Sequence, residues 1–227
     1  MKGISLLLLT ALIFTSCRSL PVINPVLPPA GMKEVVCPAP FLKESVRLIH
    51  AIEFRLAGEN RGAVIGITVA DPATRSVSCA IMTVEGLVLF EAESFPSLKV
   101  KRALAPFNTE DFARNMINDI RLIFFTPEGD IQERGTLSDG AHTCRWREKG
   151  GARIDVVARQ PAGIEINKYK ECGYRQRRIR LNGPEGNIYQ RIELAAEETF
   201  NYSLLMTLIE AVPLAGEQNR EKTGNAK

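Results

Sequence analysis

The chain has 227 residues, 45% hydrophobic and 24% charged, with mean hydropathy near zero and a formal charge of +3. That composition excludes a disordered chain, a collagen-like or coiled-coil protein and a multi-span membrane protein, and the charge is too mild to argue for nucleic acid. One core of ordinary size fits this length without staples.

Met1-Lys2-Gly3 places a positive charge before the apolar run Ile4–Phe14. As a helix that run spans roughly 16 Å, about half a hydrocarbon core, so it reads as a secretory signal peptide over residues 1–16. Phe14-Thr15-Ser16-Cys17 resembles the lipobox of bacterial lipoproteins. The resemblance implies that Cys17 carries a diacylglycerol and an amide-linked acyl chain such as palmitate, enough for stable anchoring. Arg18, where an Asp would signal inner-membrane retention, implies the outer membrane with the domain on its periplasmic face. A plain signal peptide followed by a chance cysteine is the alternative.

Residues 17–40 are proline-rich and predict an extended tether, with the folded domain over 41–212 and a polar tail over 213–227. Phe41–Leu56 predicts a first helix: Phe41, Leu42, Val46, Leu48, Ile49, Ile52 and Leu56 share one face, and Arg47 and His50 lie on the solvated one. From Ala63 the period becomes two, giving strands over 63–70, 76–84, 87–93 and 98–104. A second helix follows, capped by Asn108 or Thr109, with Phe112, Ala113, Met116, Ile117, Ile120, Ile123 and Phe124 on one face. Strands resume over 143–147, 152–158, 164–169, 174–181 and 187–194, and Tyr202–Val212 predicts a last short helix. The order is that of an α+β fold, with one large antiparallel sheet and two or three helices.

Four further cysteines, Cys37, Cys79, Cys144 and Cys172, allow three pairings in an oxidising compartment, and their isolation argues against zinc. No catalytic constellation is visible. Ser138-Asp139-Gly140-Ala141-His142 holds the residue types of a triad but reads as a turn, and no nucleophile elbow, metal-binding histidine pair or phosphate loop exists. The expectation is a non-enzymatic protein without cofactor or metal. Tyr174-Arg175-Gln176-Arg177-Arg178-Ile179-Arg180 is the most basic stretch. On a strand, Arg175 and Arg177 share a face with Ile179 and Leu181, while Arg178 and Arg180 lie opposite. It reads either as an attractor for anionic lipid head groups or as an edge strand guarded by charge.

The succession of lipobox, tether, amphipathic helix, strands, mid-chain helix and further strands resembles the LolA/LolB lipoprotein-carrier superfamily over residues 41–212. The run Ile164-Glu165-Ile166-Asn167 followed by Tyr174 also resembles related small lipoproteins of unknown function. The resemblance implies an incomplete, strongly curved barrel whose apolar concave face is covered by helices and holds acyl chains of a lipid or lipoprotein. Phe112, Met116, Ile120, Ile123 and Phe124 are then candidates to line that cavity from the helical side. Phe95-Pro96 is the candidate position for a receptor's protruding apolar loop. The alternative is a scaffold lipoprotein that docks a periplasmic protein partner.

Overall fold

The segment expected to open the domain as a helix is a strand. In the computed structural model, which describes residues 20–26, 35–56, 58–161, 163–197 and 202–214, Val46–Leu56 is extended and paired on both sides. The described strands are β1 (Asn24–Pro25), β2 (Val46–Leu56), β3 (Glu59–Asp71), β4 (Ser76–Met82), β5 (Val88–Ser94), β6 (Leu98–Ala103), β7 (Asp130–Thr136), β8 (His142–Arg147), β9 (Arg153–Arg159), β10 (Gly163–Tyr169), β11 (Arg175–Glu185), β12 (Ile188–Ala196) and β13 (Tyr202–Pro213). Among the described residues there is one α-helix, α1 (Glu110–Phe124). The α+β expectation of a sheet covered by two or three helices is therefore corrected to a nearly all-β fold. Tyr202–Val212, expected as the last helix, is strand β13.

All thirteen strands form one antiparallel sheet in the order β1-β7-β8-β9-β10-β11-β12-β13-β2-β3-β4-β5-β6. The chain makes two meanders, β2–β6 and β7–β13, and β13 zips onto β2 to join them. Among the described residues the sheet does not close, since its edges are β1 and β6. Register shifts at Phe54/Arg55, Ile81/Met82, Glu91/Ala92, Ile131/Glu133, Lys168/Tyr169 and Leu208/Glu210 bend the strands, as bulges do.

Alternation gives the sheet an inner face and an outer face. Val46, Leu48, His50 and Ile52 point inward from β2, opposite Ala70, Thr68, Gly66 and Val64 of β3. Ile166, Ile179 and Leu194, paired across β10, β11 and β12, continue the same face and are fully or almost fully buried. A Cβ at Gly66 would sit 2.5 Å from Cδ1 of Ile52, so a glycine is what lets that side chain lie flat. Helix α1 packs on this inner face, and its buried residues merge with those of the strands in one hydrophobic cluster.

Part of the proline-rich stretch is built into the domain. Asn24 and Pro25 pair with Thr136 and Gly135 as β1, and Ile23 is buried. Cys37 is disulfide-bonded to Cys144 on β8 across a sequence separation of 107, while Cys79 is a buried thiol and Cys172 an exposed one. Phe41 and Leu42 are buried, and Leu42 N–H donates to Phe124 O at the end of α1 (3.0 Å). Residues 1–16, Cys17 and residues 215–227 lie outside the described residues.

Candidate functional site

The inner face and its one described helix form the candidate site. Thr109 caps α1, its hydroxyl accepting from Phe112 N–H (3.2 Å), and Glu110 and Asp111 place negative charge at the positive end of the dipole. The helix ends at Phe125, whose N–H donates to Arg121 O (2.9 Å).

The five helical residues expected to line a cavity fall into two groups. Ile120, Ile123 and Phe124 are buried in the cluster, with Phe124 6.3 Å from the His50 ring. Phe112 and Met116 are only half-buried at its margin, and Phe112 stands edge-on to Phe90 (5.3 Å) and near Phe107 (5.1 Å). Elsewhere along the cluster the inner face carries further half-buried apolar side chains, including Ile52, Val64, Leu204 and Leu208.

Polar contacts hold the helix where the apolar contacts thin out. Arg177 Nε on β11 donates to Asp119 Oδ1 (2.8 Å), and Tyr202 Oη on β13 donates to Asp119 Oδ2 (2.6 Å). The Arg177 guanidinium also lies 5.6 Å from the Tyr202 ring centre. On the other flank Arg121 Nη2 reaches Ser94 Oγ on β5 (3.0 Å). Asp119 and Arg177 are both buried, so each charge depends on its partner.

His50 lies on this inner face, 1% exposed, and not on a solvated helix surface as the sequence suggested. Burial pushes its pKa down to about 4 and keeps the ring neutral. His142 lies next to the Ser138-to-Ala141 turn, in which Asp139 Oδ1 accepts from Ala141 N–H (3.0 Å) and its carboxylate pairs with Arg159. These contacts are structural, and they hold the Asp139 pKa below the ordinary carboxylate value. Among the described residues no group of three or more His, Cys, Asp or Glu side chains converges as metal ligands.

The basic stretch divides as strand alternation requires. Arg177 points inward to Asp119, while Arg178 and Arg180 project from the outer face. Since β11 lies between β10 and β12, the guarded-edge reading is corrected: this is an interior strand. The outer face is charged elsewhere too. Arg145 makes a bidentate pair with Asp155 (2.7 Å each), reaches Glu133 (3.0 Å), and donates to Pro21 O (2.9 Å) under the N-terminal segment. What sequence reasoning missed is Asp119, a buried carboxylate at the edge of the apolar stripe of α1. Its signal was available as the inward arginine at 177.

The surface of the described residues includes two pockets of note. One, of about 140 Å³, lies at the C-terminal end of α1 between Arg75, Arg121, Lys168, Glu128 and Glu148. The other, of about 260 Å³, is a groove on the outer face over β11, β12, β13 and β2. Phe95, the candidate hook residue, is exposed in the β5–β6 turn.

No family model matches the chain and no curated protein matches it. Among solved structures it is similar to a LolA superfamily protein from Nitrosomonas europaea, with TM-score 0.42 and 11% identity over 75% of this chain and 86% of that one.

Proposed function

We propose that the protein is a lipid-anchored, non-enzymatic carrier that binds an acyl chain of a lipid or lipoprotein between the inner face of its sheet and α1. The observation that carries this reading is the divided character of α1. Ile120, Ile123 and Phe124 anchor it in the core, while Phe112 and Met116 sit half-buried at the edge of the apolar cluster. A polar latch at Asp119 closes the same flank. Displacing that flank of the helix opens apolar surface to a chain, whose burial is worth about 0.8 kcal/mol per CH₂. Unloading then follows from contact with a membrane or partner of higher affinity. Acylated Cys17 would hold the domain at the outer membrane, facing the periplasm. Fatty-acid labelling tests the anchor: wild type should be marked and Cys17→Ala unmarked, and equal marking would refute it.

Two tryptophan substitutions test the site. Met116→Trp, at the half-buried margin, should reduce uptake of a hydrophobic fluorescent probe with little effect on stability. Ile120→Trp, in the packed cluster, should overpack the core and destabilise by about 1–3 kcal/mol. Equal probe uptake by wild type and Met116→Trp would refute the placement.

A further inference from the structure

The outer-face groove is a different site from the apolar inner face, and its residues come together by strand register. Arg178 stands opposite Ala195, Ala195 opposite Ser203, and Ser203 opposite Arg55, in one row across β11, β12, β13 and β2. The two central residues are small, so the row is a depression with an arginine at each end and a serine hydroxyl on its floor. One register step away, Arg180 and Glu193 face each other, with Leu205 and Glu53 beyond them, and Arg191 closes the groove. Glu193 is shared by Arg180 (4.0 Å) and Arg191 (3.2 Å), whereas Arg55 and Arg178 have no acidic partner among the described residues. Four arginines and two glutamates line the groove. A net positive depression of about 260 Å³ with two uncommitted guanidiniums and a hydroxyl has the donor set of a phosphate site.

We infer that this groove binds the phosphate of an anionic phospholipid head group. Two guanidinium forks, from Arg55 and Arg178, embrace the phosphate from opposite ends of the row, Ser203 Oγ donates from the floor, and Leu205 lies beside the glycerol. Guanidinium suits this role because its planar donor pairs match phosphate oxygens two at a time. The site lies on the face opposite α1, so a head group held there leaves the inner face unobstructed.

Native mass spectrometry of the full chain in nonionic detergent, with phosphatidylglycerol or phosphatidylcholine of identical acyl chains, reads the head-group contribution directly. Wild type should retain phosphatidylglycerol about tenfold over phosphatidylcholine. Arg55→Ala with Arg178→Ala should abolish that preference, and Arg55→Ala alone, at an exposed position that leaves the fold intact, should lower it at least threefold. Met116→Trp, which fills the inner-face site, should leave it unchanged. A preference that survives the double substitution overturns the inference. So does a preference lost in Met116→Trp but kept without the arginines, because the lipid would then sit on the inner face. Glycerol 3-phosphate filling the groove with no preference between the two lipids overturns the lipid assignment in favour of a soluble phosphate.

Discussion

Asp119 Oδ1 accepts a hydrogen bond from Arg177 Nε at 2.8 Å, joining the middle of α1 to β11 across 58 positions of sequence. Both groups are buried, and Tyr202 supplies the second donor to the same carboxylate. Removing one member takes the opposite charge away from a buried ion. Asp119→Ala should therefore cost about 3–5 kcal/mol in urea unfolding, and adding Arg177→Met should restore most of it. Additive losses in the double variant would show that the two residues act independently.

Because the latch holds the flank of α1 that overlies the apolar margin, loosening it should expose that margin. Asp119→Asn keeps the shape and weakens the ionic contact. Uptake of a hydrophobic probe by the folded variant should exceed that of wild type several-fold. Unchanged uptake would separate the latch from access to the inner face.

His50 gives the stability a defined pH dependence. In the folded chain it takes up a proton only below about pH 4, against 6.5 for an ordinary histidine. Between those values the unfolded chain binds more protons, so stability falls as pH drops from about 6.5 and the loss levels off near 4. At about 1.4 kcal/mol per pKa unit, the full effect is about 3 kcal/mol. Urea midpoints of wild type and His50→Gln at pH 7 and pH 4.5 isolate this contribution from that of the carboxylates. Parallel losses in both proteins would contradict it.

The Cys37–Cys144 disulfide closes a long loop whose ends are 107 positions apart. Reduction, or Cys37→Ser with Cys144→Ser, should lower stability by about 2–5 kcal/mol. A maleimide should label exposed Cys172 in the native chain, but Cys79 only after unfolding, because Cys79 is buried with its thiol pushed up to about 12. The same contact makes a domain started at Pro38 a poor substitute for the whole chain, since it lacks Cys37 and the segment carrying Pro21 and Ile23.

The helix at 110–124 was legible because its cap, its acidic first turn and its apolar spacing all agree, and short runs of alternation bounded by turn residues marked most strands. Val46–Leu56 misled for a physical reason. Val46, Leu48, His50, Ile52, Phe54 and Leu56 satisfy a period of two, but Ile49 and Ala51 on the other face are also apolar, which lets a helical stripe fit almost as well. The helical reading left Phe54 off its stripe, whereas the strand places it inward opposite Leu204. Tyr202–Pro213 has the same ambiguity, with Leu205 and Val212 outward and Leu204 and Met206 inward. Strand β7, Asp-Ile-Gln-Glu-Arg-Gly-Thr, has one large apolar residue and a bulge that breaks its alternation, so no periodicity announced it. Of the candidate site, the apolar face of α1 was readable. The division between its buried and half-buried members depends on which strands lie beneath, and strand order is not written in local pattern.

The central claim is that the inner face beside Phe112 and Met116 holds an acyl chain. Native mass spectrometry of the full chain purified from membranes, with solvent extraction and identification of what is released, measures this directly. With the outer-face groove disabled by Arg55→Ala and Arg178→Ala, the chain should still carry a stoichiometric acyl lipid beyond any attached at Cys17, and the same chain with Met116→Trp, stably folded, should carry little or none. A groove-disabled chain free of bound lipid, or one whose lipid is retained in full when Met116→Trp is added, would contradict it.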